Sequence, residues 1–135
     1  MNERLKSIVD LEKYPIYDLN SPIIKNLIKK CKDELDQFSC STIPNFILPK
    51  SLEIMNLELE KQLDEVYMSK EKINPYLYAK DNPELPKDHP KRTFMDRFNG
   101  YLNSDCFLKG SEMKFLYETE ELLKFVSLCL GVSPI

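Results

Sequence analysis

The residue best suited to acid–base chemistry is His89, the single histidine of the chain. An imidazole titrates near neutral pH, and Asp88 precedes it directly in the sequence. Adjacency in sequence does not orient the ring, and a histidine between an acid and Pro90 in a polar loop is typical of a residue that fixes the loop. We therefore predict a structural role for His89. A cysteine nucleophile is disfavoured too, because it would depend on this same side chain as its base.

Three acidic residues close together in sequence, Glu118, Glu120 and Glu121, could act as a carboxylate pair in proton transfer or metal binding. Catalytic carboxylates must face each other across a cleft at a defined separation. Acids at the start of a helix, by contrast, are explained by their favourable interaction with the helix dipole. We therefore predict that this cluster stabilises the beginning of a helix.

Cationic and aromatic residues alternate in one segment, a pattern typical of surfaces that bind nucleic acid through base stacking and phosphate contacts. The residues are Lys91, Arg92, Phe94, Arg97 and Phe98. The whole chain nevertheless has 19 Lys+Arg against 22 Asp+Glu, a net charge of -3, and no polybasic run. We predict no nucleic-acid partner, with the phenylalanines in the core and the cations paired with local acids.

The counts of other residue types exclude whole classes of site. One histidine cannot supply a two-histidine iron or metalloprotease site, and three widely separated glycines cannot form a phosphate-binding loop. The four cysteines contain no Cys-x-x-Cys pair, and they are expected to be free thiols: Cys31, Cys40, Cys106 and Cys129. We predict no catalytic, cofactor-binding or metal-binding residue in this chain. Without an apolar leader or a long apolar run, we expect a soluble, cytoplasmic protein with no membrane partner.

The elements that would position these residues predict a helix-dominated α+β fold. The length of 135 residues, 42% hydrophobic and 30% charged, fits a single domain over 1–135, or the N-terminal part of a larger one. Periodicity, caps and prolines predict the following elements: an extended arm to Asn20, a helix from Ser21–Pro22 to Phe38, a short strand over Cys40–Ile47, a helix over Pro49–Tyr67, a long irregular loop over 69–92, a strand over Thr93–Leu102, a short helix over Ser111–Tyr117 and a last helix over 119–130.

The last predicted helix is apolar almost all the way round. Between Leu122 and Leu130 only Lys124 and Ser127 are polar, and Gly131 ends the helix. Leaving several large apolar side chains exposed would forgo a few kcal/mol, since full burial of each contributes about 1.5–3 kcal/mol. We therefore expect further polypeptide to cover the 119–130 helix: a C-terminal continuation, a partner chain or a second copy.

Four segments, taken in order, resemble the N-terminal part of a family of non-haem Fe(II)/2-oxoglutarate-dependent oxygenases that includes free amino-acid (lysine-type) hydroxylases and halogenases. They are Leu11–Asp18, Cys40–Pro49, Asp88–Thr93 and Leu116–Gly131. The resemblance implies helices that pack outside a double-stranded β-helix, or jelly roll, which holds the iron. Its ligands would be two histidines, with a carboxylate in hydroxylases and a small residue in halogenases.

None of the positions that carry these ligands in the family lies in this chain, so no iron ligand or co-substrate residue is carried over, and His89 matches a loop histidine only. Fe(II), 2-oxoglutarate and an amino-acid substrate are implied for the complete enzyme alone. The resemblance thus implies an inactive N-terminal portion that buttresses the barrel, with the segment from Asn74 to Arg92 covering the substrate pocket. A truncated product, a partial chain or half of a split enzyme would all fit. The alternative is a complete, small, acidic helical module that binds a protein partner through the 119–130 helix.

Overall fold

A computed structural model describes residues 2–133 of the chain. Within that range the fold is α+β and dominated by helices, which confirms the predicted class at this level: five α-helices accompany one two-stranded antiparallel sheet. The elements are α1 Glu3–Ile8, α2 Pro22–Phe38, α3 Pro49–Glu60, β1 Tyr67–Ile73, β2 Met95–Tyr101, α4 Glu112–Glu118 and α5 Glu120–Leu130. The described residues form two compact units. The helical unit runs up to Lys61 and resumes at Phe107, and the sheet unit is Gln62–Cys106.

The beginning of the chain lies at the centre of the helical unit. Leu5, Ile8 and Val9 are completely buried, and Ile16 is 1% exposed. The predicted extended arm is wrong over its first part, because residues Glu3–Ile8 form α1. Asn2 caps this helix by accepting a hydrogen bond from the backbone N–H of Leu5. Six residues give too weak a periodic signal to be read from sequence, and tertiary burial stabilises the helix instead.

The prediction for α2 is confirmed at both ends. The Ser21 hydroxyl accepts a hydrogen bond from the Ile24 N–H at 3.3 Å, and Pro22 occupies the first turn. Ile24 and Cys31 are buried in the core. The periodicity of this helix also predicts a buried apolar stripe that runs from Ile24 to Phe38, but Phe38 is 66% exposed.

The segment Cys40–Ile47 does not form the predicted strand. Its only β-pairing in the described chain is an isolated bridge between Val9 and Ile47. Pro44 has no N–H to donate, and Asn45 adopts a left-handed conformation with φ 57°, so the chain turns instead of extending. Ile43, Phe46 and Ile47 nevertheless pack against the core.

α3 is shorter than predicted and buries only part of its expected apolar stripe. It ends at Glu60 instead of Tyr67. The periodicity of this segment predicts a buried stripe of Leu52, Met55, Leu59, Leu63 and Val66. Met55 is buried as expected, but Leu52 and Leu63 are 49% and 64% exposed. Ser51 is buried as well, and its hydroxyl donates to the Ser7 carbonyl at 2.9 Å. Because the helix stops early, Tyr67 is free to begin β1.

α4 lies where the short helix was expected, and a side chain of α3 binds its first turn. Ser111 is the N-cap residue, and its hydroxyl donates to the Glu58 carboxylate at 2.7 Å. The same carboxylate accepts hydrogen bonds from the backbone N–H groups of Glu112 at 2.9 Å and Met113 at 3.5 Å. A negative charge at this position satisfies donors that have no partner inside the helix.

In the sheet unit β1 and β2 pair antiparallel, with Lys70 opposite Phe98 at the middle of the register. The strand predicted over Thr93–Leu102 is confirmed as β2. The irregular segment predicted over 69–92 begins later, at Asn74, because its first five residues belong to β1.

Candidate interaction surface

One side of α5 is covered by the chain itself. Phe125 is 2% exposed and Cys129 8% exposed, and α5 packs on α2. The Phe125 ring stacks on Phe46 with centroids 6.4 Å apart, and Phe46 in turn contacts Tyr14 at 5.7 Å. The helix is therefore anchored by an aromatic cluster of the helical unit, and part of its apolar surface needs no other cover.

Another side of α5 remains open. Leu123, Val126 and Leu130 follow one another at spacings of three and four residues, so they share one helix face. Their exposed fractions are 44%, 40% and 57%. We call these three residues the α5 stripe. Leu128 is equally apolar and 41% exposed, but the helical period places it on a different side of the helix.

The acidic residues near the start of α5 belong to two helices, and Glu120 is paired with a cation. The Glu120 carboxylate lies 2.6 Å from the Lys124 ammonium, whose hydrogen bond and charge lower the pKa of Glu120. Glu118 is the last residue of α4, and Glu121 shares the first turn of α5 with Glu120. Thr119 precedes α5 as expected, but its hydroxyl donates to the Phe115 carbonyl at 2.7 Å and does not cap the helix.

His89 holds the loop that precedes β2. Its Nδ1 accepts a hydrogen bond from the Lys91 N–H at 3.1 Å, at the start of a short 3₁₀ turn over Pro90–Arg92. An imidazole nitrogen acting as an acceptor for the backbone is what a loop-fixing residue does. This position agrees with the structural role that the sequence indicates.

The structure agrees with one part of the expectation for the cationic and aromatic residues around β2 and disagrees with another. The Arg92 guanidinium binds both oxygens of Asp81, at 2.9 and 2.8 Å, and donates to the Leu85 carbonyl at 3.0 Å. This is the local ion pair that was predicted. Phe98, however, is 66% exposed and does not belong to a core. The alternation of strand side chains places it on an open face of a two-stranded sheet, so its burial prediction is wrong.

Asn74 organises the rest of this loop. It is 2% exposed, its amide nitrogen donates to the Lys91 carbonyl at 2.6 Å, and its oxygen accepts from the N–H groups of Tyr76 and Tyr78, both at 3.0 Å. Together with the pair formed by Arg92 and Asp81, it ties the two ends of the irregular segment to one another. Sequence reasoning missed Asn74, whose only signal is the Asn-Pro dipeptide typical of turns.

We expect the contact between Asp81 and Arg92 to be lost in acid. The Arg92 guanidinium lowers the pKa of Asp81 below its ordinary value of 3.8. Because the pKa of Asp81 is lower in the folded loop, the ion pair stabilises the loop fully above pH 3.8. This stabilisation is lost as the pH falls through the lowered pKa of the folded state. An NMR titration of the Arg92 Nε–H should show this transition below pH 3.8 in the native chain and none in Asp81→Asn. An Asp81 that titrates at or above its ordinary value would contradict the pairing.

Two of the cysteines face each other inside the helical unit. Cys31 of α2 and Cys129 of α5 are both buried and free. Burial, with the neighbouring Cys31 adding to the effect, raises the pKa of the Cys129 thiol to about 12. Because the thiolate is the reactive form of cysteine, this thiol is expected to behave as a small apolar side chain.

An open cleft of about 660 Å³ lies beside α1 and is bordered by Lys6, Asp10, Glu12 and Tyr17, among others. The Asp10 carboxylate is already bonded to the Lys13 N–H at 3.0 Å. Within residues 2–133 no three His, Cys, Asp or Glu side chains come together in a way that could hold a metal ion.

Comparison with known protein families, with curated proteins and with solved structures finds no match to this chain. Among the described residues, no helix combines the length and the apolar character needed to cross a membrane.

Proposed function

We propose that this chain is the non-catalytic N-terminal helical region of an Fe(II)/2-oxoglutarate-dependent oxygenase of the amino-acid hydroxylase/halogenase type, and that it buttresses the catalytic barrel. The observation that carries the proposal is the α5 stripe, a row of aliphatic side chains left open on a helix whose other side is anchored in the core. Burial of such a stripe against another body is favourable, since apolar area removed from water stabilises association.

The family resemblance supplies the identity of that body. It places helices of this kind against the outside of a jelly-roll barrel. A stripe formed by Leu123, Val126 and Leu130 suits an apolar protein surface better than it suits a polar ligand. Iron and 2-oxoglutarate would be held by the barrel, and no step of the chemistry is assigned to this chain.

The irregular segment between β1 and β2 has a role in the same proposal. A loop tied down by Asn74 and by the pair of Arg92 with Asp81 is preorganised, so it can cover a neighbouring pocket without a large loss of conformational entropy. We propose that it covers the substrate entrance of the barrel. The substrate class that the resemblance implies is a free amino acid.

The test is binding of this chain to the barrel portion of an oxygenase of this family expressed without its own N-terminal region. Val126→Glu places a charge within the α5 stripe and is expected to abolish co-purification with the barrel. Leu128→Glu is the matched control, because Leu128 and Val126 are 41% and 40% exposed but lie on different sides of α5. The control variant should bind the barrel as the native chain does.

A second measurement examines the isolated chain. In an anaerobic Fe(II) titration followed by a succinate-release assay, we expect neither stoichiometric iron nor turnover of 2-oxoglutarate. Stoichiometric iron binding or turnover by the isolated chain would refute the proposal that the catalytic chemistry belongs to the barrel. Barrel binding that is insensitive to Val126→Glu would refute the role of the α5 stripe, and a complete helical binding module with a different protein partner would become the better explanation.

A further inference from the structure

The sheet of this protein has two open edges. β1 and β2 are each seven residues long, and in the part of the chain that the structure describes no third strand pairs with either. The outward-pointing N–H and C=O groups of such strands are templates for pairing with another strand. A two-stranded sheet by itself is also only marginally stable in water, so an additional strand would stabilise it.

The two edges differ in the charges that they carry. β1 contains Lys70 and Lys72, and lysines are a common means of preventing an edge strand from pairing. β2 contains no lysine, only the single cation Arg97 and the single anion Asp96. It also carries Phe98, whose side chain is 66% exposed. The β2 edge is therefore the one less protected against pairing.

The sequence of β2 is compatible with antiparallel pairing to itself. A two-fold axis through the middle residue places Phe98 opposite the Phe98 of a second copy, and aromatic pairs across strands are favourable. The remaining pairs are Met95 with Tyr101, Asp96 with Gly100 and Arg97 with Asn99, so no like charges meet. The same operation on β1 would place Lys70 opposite itself, which is unfavourable.

We propose that the β2 edge pairs antiparallel with β2 of a second copy of this chain, forming a four-stranded sheet in the order β1, β2, β2, β1. The interface is isologous, because each copy contributes the same strand. This inference does not rest on the proposed function, whose supporting observation is the α5 stripe of the helical unit and whose partner is a barrel instead of a second copy. Edge pairing of seven residues forms a small interface, so the dimer is expected to be weak and in rapid exchange.

Asn99 provides the test. Its side-chain amide contacts the Tyr101 hydroxyl at 3.0 Å within one chain, so the folding of each variant is checked separately. Inside one chain Asn99 lies opposite Ser69, whereas in the dimer it would lie opposite the second copy's Arg97, twice by symmetry. Asn99→Lys is therefore expected to raise the dissociation constant of the dimer roughly fivefold, because it creates two like-charge pairs that each cost about 0.5 kcal/mol. Asn99→Glu should tighten it by a similar factor. Ser69→Lys is the matched control, because Ser69 lies one strand further from the interface, and it should leave the dimer almost unchanged.

Sedimentation equilibrium at chain concentrations up to about 1 mM would measure the dissociation constant of each dimer. A dissociation constant of about 1 mM corresponds to a binding free energy of about -4 kcal/mol. Circular dichroism would confirm that each variant is folded, and hydrogen exchange should show protection of β2 amides that increases with concentration. A chain that stays monomeric over this range would overturn the proposal. So would a dimer that responds to Val126→Glu but not to Asn99→Lys, since that result would assign self-association to the α5 stripe.

Discussion

Replacing Phe125 by alanine is expected to lower the free energy of unfolding of the helical unit by about 3–5 kcal/mol. The ring is 2% exposed and stacks on Phe46, so its removal deletes a buried aromatic contact and leaves a cavity between α5 and the aromatic cluster. A loss of this size is a large fraction of the stability of an ordinary domain. Urea unfolding monitored by helical circular dichroism would measure it.

Leu130→Ala is the control for this prediction. Leu130 lies on the same helix, but it is 57% exposed, so its truncation should change the free energy of unfolding by no more than about 0.5 kcal/mol. If Phe125→Ala and Leu130→Ala lowered the free energy of unfolding by similar amounts, the α5 stripe would have to be covered in solution. That result would also remove the support on which the proposed barrel contact depends.

The Glu58→Ala substitution is expected to destabilise the helical unit by about 2–3 kcal/mol, because hydrogen bonds to a charged group are each worth about 1.5–3 kcal/mol and losses within one cluster are not additive. The variant leaves the Ser111 hydroxyl and the Glu112 N–H without their acceptor at the beginning of α4. Unfolding in urea and hydrogen exchange of the α4 amides would both report the effect.

Two further variants separate capping from charge. Glu58→Gln keeps an acceptor oxygen of the same reach but removes the negative charge, so it should recover part of the stability that alanine loses. Glu60→Ala removes an acid from the exposed end of the same helix and is expected to change the free energy of unfolding by less than about 0.5 kcal/mol. Equal losses for Glu58→Ala and Glu60→Ala would show that the contact with α4 contributes nothing specific.

The two proposed surfaces belong to different units and have different chemistry. The α5 stripe offers aliphatic area on a helix, which suits an apolar protein surface. The β2 edge offers backbone donors and acceptors, which suit another strand. Variants at Val126 and Asn99 therefore address the two contacts separately.

Local signals were sufficient to predict some elements. α2 and α4 begin where a serine can accept a hydrogen bond from the N–H three residues on, Ser21 from Ile24 and Ser111 from Lys114. α5 ends where Gly131 takes a left-handed conformation with φ 68°. Caps and glycine termini act within one helical turn, so the sequence displays them directly.

Other features depended on contacts that are distant in sequence. Glu58 caps a helix that begins more than fifty residues later, and its carboxylate is 2.7 Å from the Ser111 hydroxyl. In a linear reading Glu58 is only one of several acids in α3. The tertiary structure also determined that the short α1 is buried and that Cys40–Ile47 turns instead of forming a strand.

The sequence by itself therefore determined the class of fold, the positions of α2, α4 and α5, and a last helix with more apolar surface than one face can hide. Only the tertiary structure decided which apolar residues are covered: Phe125 is enclosed, while Val126 and Phe98 remain open. The physical reason is that hydrogen bonds of caps and turns are local, whereas burial depends on which segments meet in space. A hydrophobic side chain has the same letter in the sequence whether it lies in a core or on a surface that awaits a partner.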